Sequence, residues 1–166
     1  MTVHVHVGPL TGPPPAVRYR WDADTEILSA EITGGGGSGG LTGSIELEGP
    51  DGSWLVLEVD GGRIRSIEVA VWPEVRTVPG LAVPTDVVNV TVSVPARASQ
   101  PGIATMEVAA PMRAETDPTE TTIHFVLAMG RARTVRVGAG VLFDLDHHDA
   151  IAGVWLCNVP PITSAP

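Results

Sequence analysis

Apolar and polar residues alternate along most of this chain. The longest windows are Val3-His4-Val5-His6-Val7, Ile64-Arg65-Ser66-Ile67-Glu68-Val69-Ala70-Val71 and Val88-Asn89-Val90-Thr91-Val92-Ser93-Val94. Such alternation sends one set of side chains into a core and the other to solvent, as in antiparallel sheets. Further strands are predicted at residues 17–21, 27–33, 43–48, 54–59, 105–110, 122–128, 134–137, 141–146 and 151–157. Pro and Gly punctuate the gaps and no helical period emerges. The pattern predicts an all-β protein.

The pattern also repeats. Leu55-Val56-Leu57-Glu58-Val59-Asp60 lies over Val141-Leu142-Phe143-Asp144-Leu145-Asp146 at an offset of 86, apolar on apolar and acid on acid. Past the following turn the offset is 87, with Ile64, Ile67, Val69 and Pro73 over Ile151, Val154, Leu156 and Pro160. The same offset lays residues 3–7 over 90–94, while the match fades between Trp21 and Glu48. Residues 1–83 and 84–166 thus read as two related halves of one fold, a pseudo-two-fold antiparallel barrel or sandwich.

"YRWDADTEILSAEI", beginning at Tyr19, and "WLVLEVDGGRIRSIEVA", beginning at Trp54, resemble the small bacterial domain-of-unknown-function 2283 family. Tyr19, Asp22, Ala23, Asp24, Asp60, Gly61, Ile67 and Glu68 stand near that family's motif positions. The second half keeps the closing segment "VLFDLDHHDAIAGVWL". Ser66 replaces the motif's Gly before Ile67, and Trp155 replaces the Glu of the closing strand. The resemblance implies a compact, mostly β domain with no established activity, and an antitoxin or immunity role is among those it leaves open.

Composition narrows the partners. The chain has 166 residues, a formal net charge of −9, and ten basic residues that are all Arg. That balance argues against nucleic acid and anionic membranes, which need a basic face. Only 4% of residues are aromatic, so the core must come from Val, Ile, Leu and Ala. The Ala, Gly, Pro and Val richness without Lys suggests a bacterium with a GC-rich genome. Cys157 is the single cysteine, which excludes an intramolecular disulfide. The N-terminus has no signal-peptide pattern and no apolar run is long enough for a membrane helix, so a cytoplasmic protein is expected.

Candidate chemistry is sparse. Phe143-Asp144-Leu145-Asp146-His147-His148-Asp149 packs three carboxylates and two imidazoles into seven residues. Its counterpart Leu57-Glu58-Val59-Asp60-Gly61-Gly62-Arg63 is a plain Asp-Gly hairpin, so a polar turn is favoured over a metal site. His4 and His6 share a strand face about 7 Å apart, a spacing usable for a metal. With His147 and His148 they form the candidate metal set, should the N-terminal strand lie beside the turn. His124 could pair with any carboxylate. Asp22, Asp24 and Glu26 read as a turn, and Cys157 as a buried, inert thiol. The stretch "GGGGSGG", residues 34–40, reads as a flexible loop without the Lys and helix of a phosphate cradle. Arg131, Arg133 and Arg136 form the basic cluster, a candidate docking spot for an acidic peptide or carboxylate. Trp54 and Trp72 are candidate anchors for a partner.

No catalytic constellation or cofactor fingerprint occurs, and no cofactor is expected. The expected function is a non-enzymatic binding or accessory protein that engages a protein or peptide, such as a precursor peptide or enzyme of a biosynthetic operon, or a toxin. The alternatives are a metal-dependent enzyme or metal-binding domain using the His residues, and a structural subunit of a homodimer or larger homo-oligomer.

Overall fold

In Ile27–Ile32 every second side chain, Leu28, Ala30 and Ile32, is buried, and the residues between them are half-exposed. The same alternation recurs through a computed structural model that describes residues 3–34, 37, 39–96 and 103–162. Among these there is no helix. Fourteen strands form one curled, half-barrel sheet: β1 (His6–Pro9), β2 (Val17–Asp22), β3 (Ile27–Ile32), β4 (Thr42–Glu48), β5 (Trp54–Asp60), β6 (Arg63–Val71), β7 (Val75–Thr77), β8 (Val87–Ser93), β9 (Ile103–Ala109), β10 (Arg113–Thr116), β11 (Ile123–Val126), β12 (Arg133–Gly138), β13 (Val141–Leu145) and β14 (Ile151–Leu156). Curling is what a twisted sheet of this many strands does to bury a face of most of them.

Two runs of five strands share one order of pairing: β2-β3-β6-β5-β4 and β10-β11-β14-β13-β12. Their central hairpins share register as well. Leu55 faces Val69 and Leu57 faces Ile67 in the first. Val141 faces Leu156 and Phe143 faces Val154 in the second. Between Trp21 and Glu48 the offset changes, because loops of different length join these strands. Leu28 occupies on β6 the place that Ile123 occupies on β14.

Within each run every pairing is antiparallel. At three junctions it is parallel instead: β7 on β10, β8 on β12 and β9 on β4. β8 joins the runs, lying parallel to β12 through Asn89 and then antiparallel to β1. Both runs feed one apolar core, with Leu28, Ile45, Leu57 and Ile67 from the first and Phe125, Phe143, Val154 and Leu156 from the second, all at 0% exposure. Full burial of each such side chain is worth roughly 1.5–3 kcal/mol.

The hairpin turns follow their sequences. Gly61 and Gly62 take φ of 55° and 86° between Asp60 and Arg63. That is the two-residue turn whose twist suits a hairpin and which residues other than Gly, Asn and Asp adopt poorly. The second hairpin turns through the longer Asp146 to Ala150 segment. Regular strand β1 begins three residues later than its alternation predicts. Val3 and Val5 are instead buried against that second turn, where Ile151 N donates to Val3 O and Val5 N to Asp149 O.

Candidate functional site

Each carboxylate of Asp144-Leu145-Asp146-His147-His148-Asp149 has a separate fate. Asp146 caps the turn, its Oδ1 accepting from His148 N at 2.8 Å and Ala150 N at 2.9 Å. The Ala150 bond is the main cause that holds its carboxyl below the usual range. Asp149 takes φ of 57° and pairs with Arg133 at 2.9 Å. Asp144 points back over the sheet. Burial raises its pKa, but bonds from His124, Thr134 and Trp155 and the nearby imidazole outweigh that and leave it below the usual range.

Asp144 is 2% exposed and both its oxygens accept hydrogen bonds. His124 Nε2 donates to its Oδ2 at 2.7 Å, and Thr134 Oγ1 and Trp155 Nε1 donate to its Oδ1 at 2.6 and 3.1 Å. The imidazole stacks on the Trp155 indole at 3.8 Å between ring centroids, and its Nδ1 lies 3.7 Å from Glu115. Five adjacent strands supply this row, from Glu115 on β10 to Thr134 on β12. No Ser, Cys or Thr hydroxyl is bonded to His124 among the described residues, so the dyad lacks a nucleophile partner. Its chemistry is that of a satisfied buried polar network.

The N-terminal strand does lie beside the turn, as a metal reading of the four imidazoles requires. His4 pairs with Ala150, and its Nδ1 is 3.2 Å from the His148 carbonyl oxygen. His147 and His148 are exposed, and His6 sits opposite Ser93 on β8. Among the described residues, no three His, Cys, Asp or Glu side chains converge to hold an ion.

The arginine cluster divides between faces. Arg133 goes to Asp149, Arg136 donates to Asn89 Oδ1 at 3.0 Å, and Arg131 is exposed. Trp72 is tied into the fold: its Nε1 donates to Glu26 O at 2.7 Å, and its ring lies 5.8 Å from both Trp21 and Phe125. Trp54 is half-buried, with Nε1 enclosed and unpartnered. Cys157 is half-buried, and burial pushes its thiol up despite the charge of Arg136, which keeps it a poor nucleophile.

Among the described residues β2, like β1, β7 and β9, pairs with a strand on one side alone. The outer edge of β10 is filled by β7 in parallel register, Val75 beside Ala114 and Thr77 beside Thr116. β2 holds the matching place in the first run, and among the described residues no strand covers its outer edge. The Thr33 N to Ala16 O bond sets the alternation along β2 and β3, so the amides of Val17, Tyr19 and Trp21 face outward. Their side chains turn inward, where Tyr19 Oη donates to Cys157 O at 2.7 Å and Trp21 Nε1 to Pro160 O at 2.8 Å. A shallow depression of about 610 Å³ adjoins the end of this strand, lined by Arg20, Trp21, Asp22, Asp24, Ser29 and Glu68 among others. Sequence reading placed Arg20 and Trp21 on a strand but gave no sign of a free edge, which depends on long-range pairing.

No protein-family model matches the chain, and a search of curated proteins gave no match either.

Proposed function

We propose that this is a non-enzymatic binding protein that holds an extended segment of a partner protein by strand addition at β2. The observation that carries the reading is the contrast between two equivalent edges, β10 covered by the chain's own β7 and β2 left open among the described residues. An open edge presents unpaired N–H and C=O groups that bind extended backbone, while neighbouring side chains supply selectivity. Here those neighbours are Arg18 and Arg20, 70% and 73% exposed, which share the single carboxylate of Glu31 and so leave positive charge over for a segment carrying carboxylates. A precursor peptide, an enzyme or a toxin could present such a segment.

Two further points belong to the same proposal. The shared pairing order and hairpin register support a tandem origin of the halves with pseudo-two-fold symmetry. The burial of Asp144 and the bonds that hold the half-buried His124 support a structural rather than catalytic use of this imidazole–carboxylate dyad.

The test is a screen of acidic heptapeptides, followed by amide-resolved NMR on the tightest binder. Strand addition slows hydrogen exchange at Val17, Tyr19 and Trp21, and Val17→Pro, which deletes an outward amide, weakens binding at least tenfold. Bound peptide that protects none of these amides would rule the edge out, whatever its affinity.

A further inference from the structure

The two central hairpins share a bulge at matching places and differ in what fills it. In the first, Val59 pairs with Ile64 and Glu58 with Ser66, so Arg65 is the extra residue. In the second, Leu145 pairs with Ile151 and Asp144 with Gly153, so Ala152 is extra. A bulge re-aims the side chain it carries. Ala152 is 3% exposed and serves the bulge well, so the fold has no need of a charge at that position.

The strands beside the two hairpins also differ. Val3 and Val5 are bonded to the second hairpin at 2.8 and 2.9 Å, closing that seam. Their counterparts by the 87-residue offset, Val90 and Val92, pair instead with Pro9 and Val7 of β1. β8 therefore meets β6 only at Ser93 and Arg63 before the strands part. The gap is a cleft of about 340 Å³.

Its floor is core. Ile32, Ile64, Val90, Val92 and Val137 line it and are 6–9% exposed, while Leu57 and Ile67 beside them in the sheet are at 0%. Arg65 and Arg63 line its polar side, with Arg63, Thr33 and Gly34 at the exposed rim. Neither arginine forms an ion pair or side-chain hydrogen bond with a described residue, in a chain with nearly twice as many acids as bases.

We propose that this cleft binds a carboxylate borne on a short hydrocarbon. Arg65, with Arg63 beside it, holds the carboxylate, and the Ile and Val floor takes the hydrocarbon. A guanidinium fork matches a carboxylate in shape and charge. Apolar walls with a few polar groups on one side are the usual build of a small-ligand site, and this volume is at the small end, suiting on the order of ten non-hydrogen atoms. The proposal does not depend on strand addition at β2, although Ile32 of the cleft is the cross-strand partner of Val17.

The chemistry has two sources, a free acid or the C-terminal residue of a peptide. Four probes separate them by NMR titration of the whole chain: octanoate, octanol, and a pentapeptide ending in Leu with either a free or an amidated C-terminus. A carboxylate probe is expected to shift the amides of Ile64, Val90, Val92 and Val137 saturably, with its uncharged counterpart at least tenfold weaker. Stronger binding of octanoate assigns a free acid, and stronger binding of the free-terminus peptide assigns a chain end. Arg65→Ala installs the residue that the second hairpin already uses, so the fold is kept, and carboxylate affinity falls at least tenfold. Arg113→Gln, at an exposed position on β10 that does not line the cleft, leaves it unchanged. Octanol binding as well as octanoate, unchanged affinity in a folded Arg65→Ala protein, or no saturable shift at those four amides would each overturn the proposal.

Discussion

His124 and Asp144 meet at 2.7 Å across an intervening strand, above Gly153. β14 lies between their strands, and a side chain at Gly153 would occupy the space where they join. The network of Asp144, Thr134 and Trp155 thus depends on a residue that contributes only backbone.

Removing the carboxylate leaves several buried groups without a partner. Asp144→Ala is expected to lower stability by about 2–4 kcal/mol, the usual cost of stranding donors to a buried charge. Urea denaturation measures it. A cycle with His124→Ala should show a coupling of roughly 0.5–3 kcal/mol, because the two side chains share one network.

Acid should erase the same contribution. The Asp144 carboxyl lies below its usual pKa in the folded protein. The unfolded chain therefore takes up the proton first as pH falls, and the stabilisation is complete above the ordinary carboxylate value of about 3.9 and lost through the lower folded value. The stability gap between wild type and Asp144→Ala should narrow as pH drops below about 4. A gap unchanged down to the acid transition would contradict this assignment.

Gly153→Ala adds one methyl group in a bad place. Its Cβ would stand 2.5 Å from Asp144 Oδ2, 2.9 Å from Phe125 O and 3.2 Å from His124 Nε2. Two of these neighbours are fixed by hydrogen bonds and the third is backbone. Destabilisation of roughly 1–3 kcal/mol is expected, accompanied by a shift of the His124 imidazole NMR signals.

Tyr19 is the only tyrosine, so its titration can be read directly. Burial, aided by the neighbouring Cys157, outweighs the bond to the Cys157 carbonyl and pushes the phenol well above its usual range. Absorbance near 295 nm should stay flat through pH values where a free tyrosine, with a pKa of about 10, ionises. Ionisation should then appear together with unfolding. Tyr19→Phe, which deletes the bond, should cost about 1 kcal/mol.

Strand content was readable because alternation is a local property. The windows around Leu28, Leu57, Val69, Phe143 and Val154 point the same residues inward that the core buries. β7 and β10 escaped, since Val75-Arg76-Thr77 is exposed throughout even when paired, and Arg113-Ala114-Glu115-Thr116 carries no large apolar side chain to mark a core face. The polar turn after Leu145 was legible from its hairpin counterpart. The partner of Asp144 was not, because His124 lies twenty residues upstream on a strand that is not its neighbour.

An all-β chain, its core residues, and hairpins that turn at Gly61 and after Asp146 follow from local pattern, since period, side-chain type and turn chemistry act between near neighbours. Tertiary structure alone decided that β7 covers β10 while no described strand covers β2, that the seam beside Arg65 stands open while the one beside Ala152 is closed, and that Asp144 belongs to His124. Those outcomes rest on pairings between residues far apart in the chain. Their register is set by how the whole sheet curls around one core, and no local pattern encodes it.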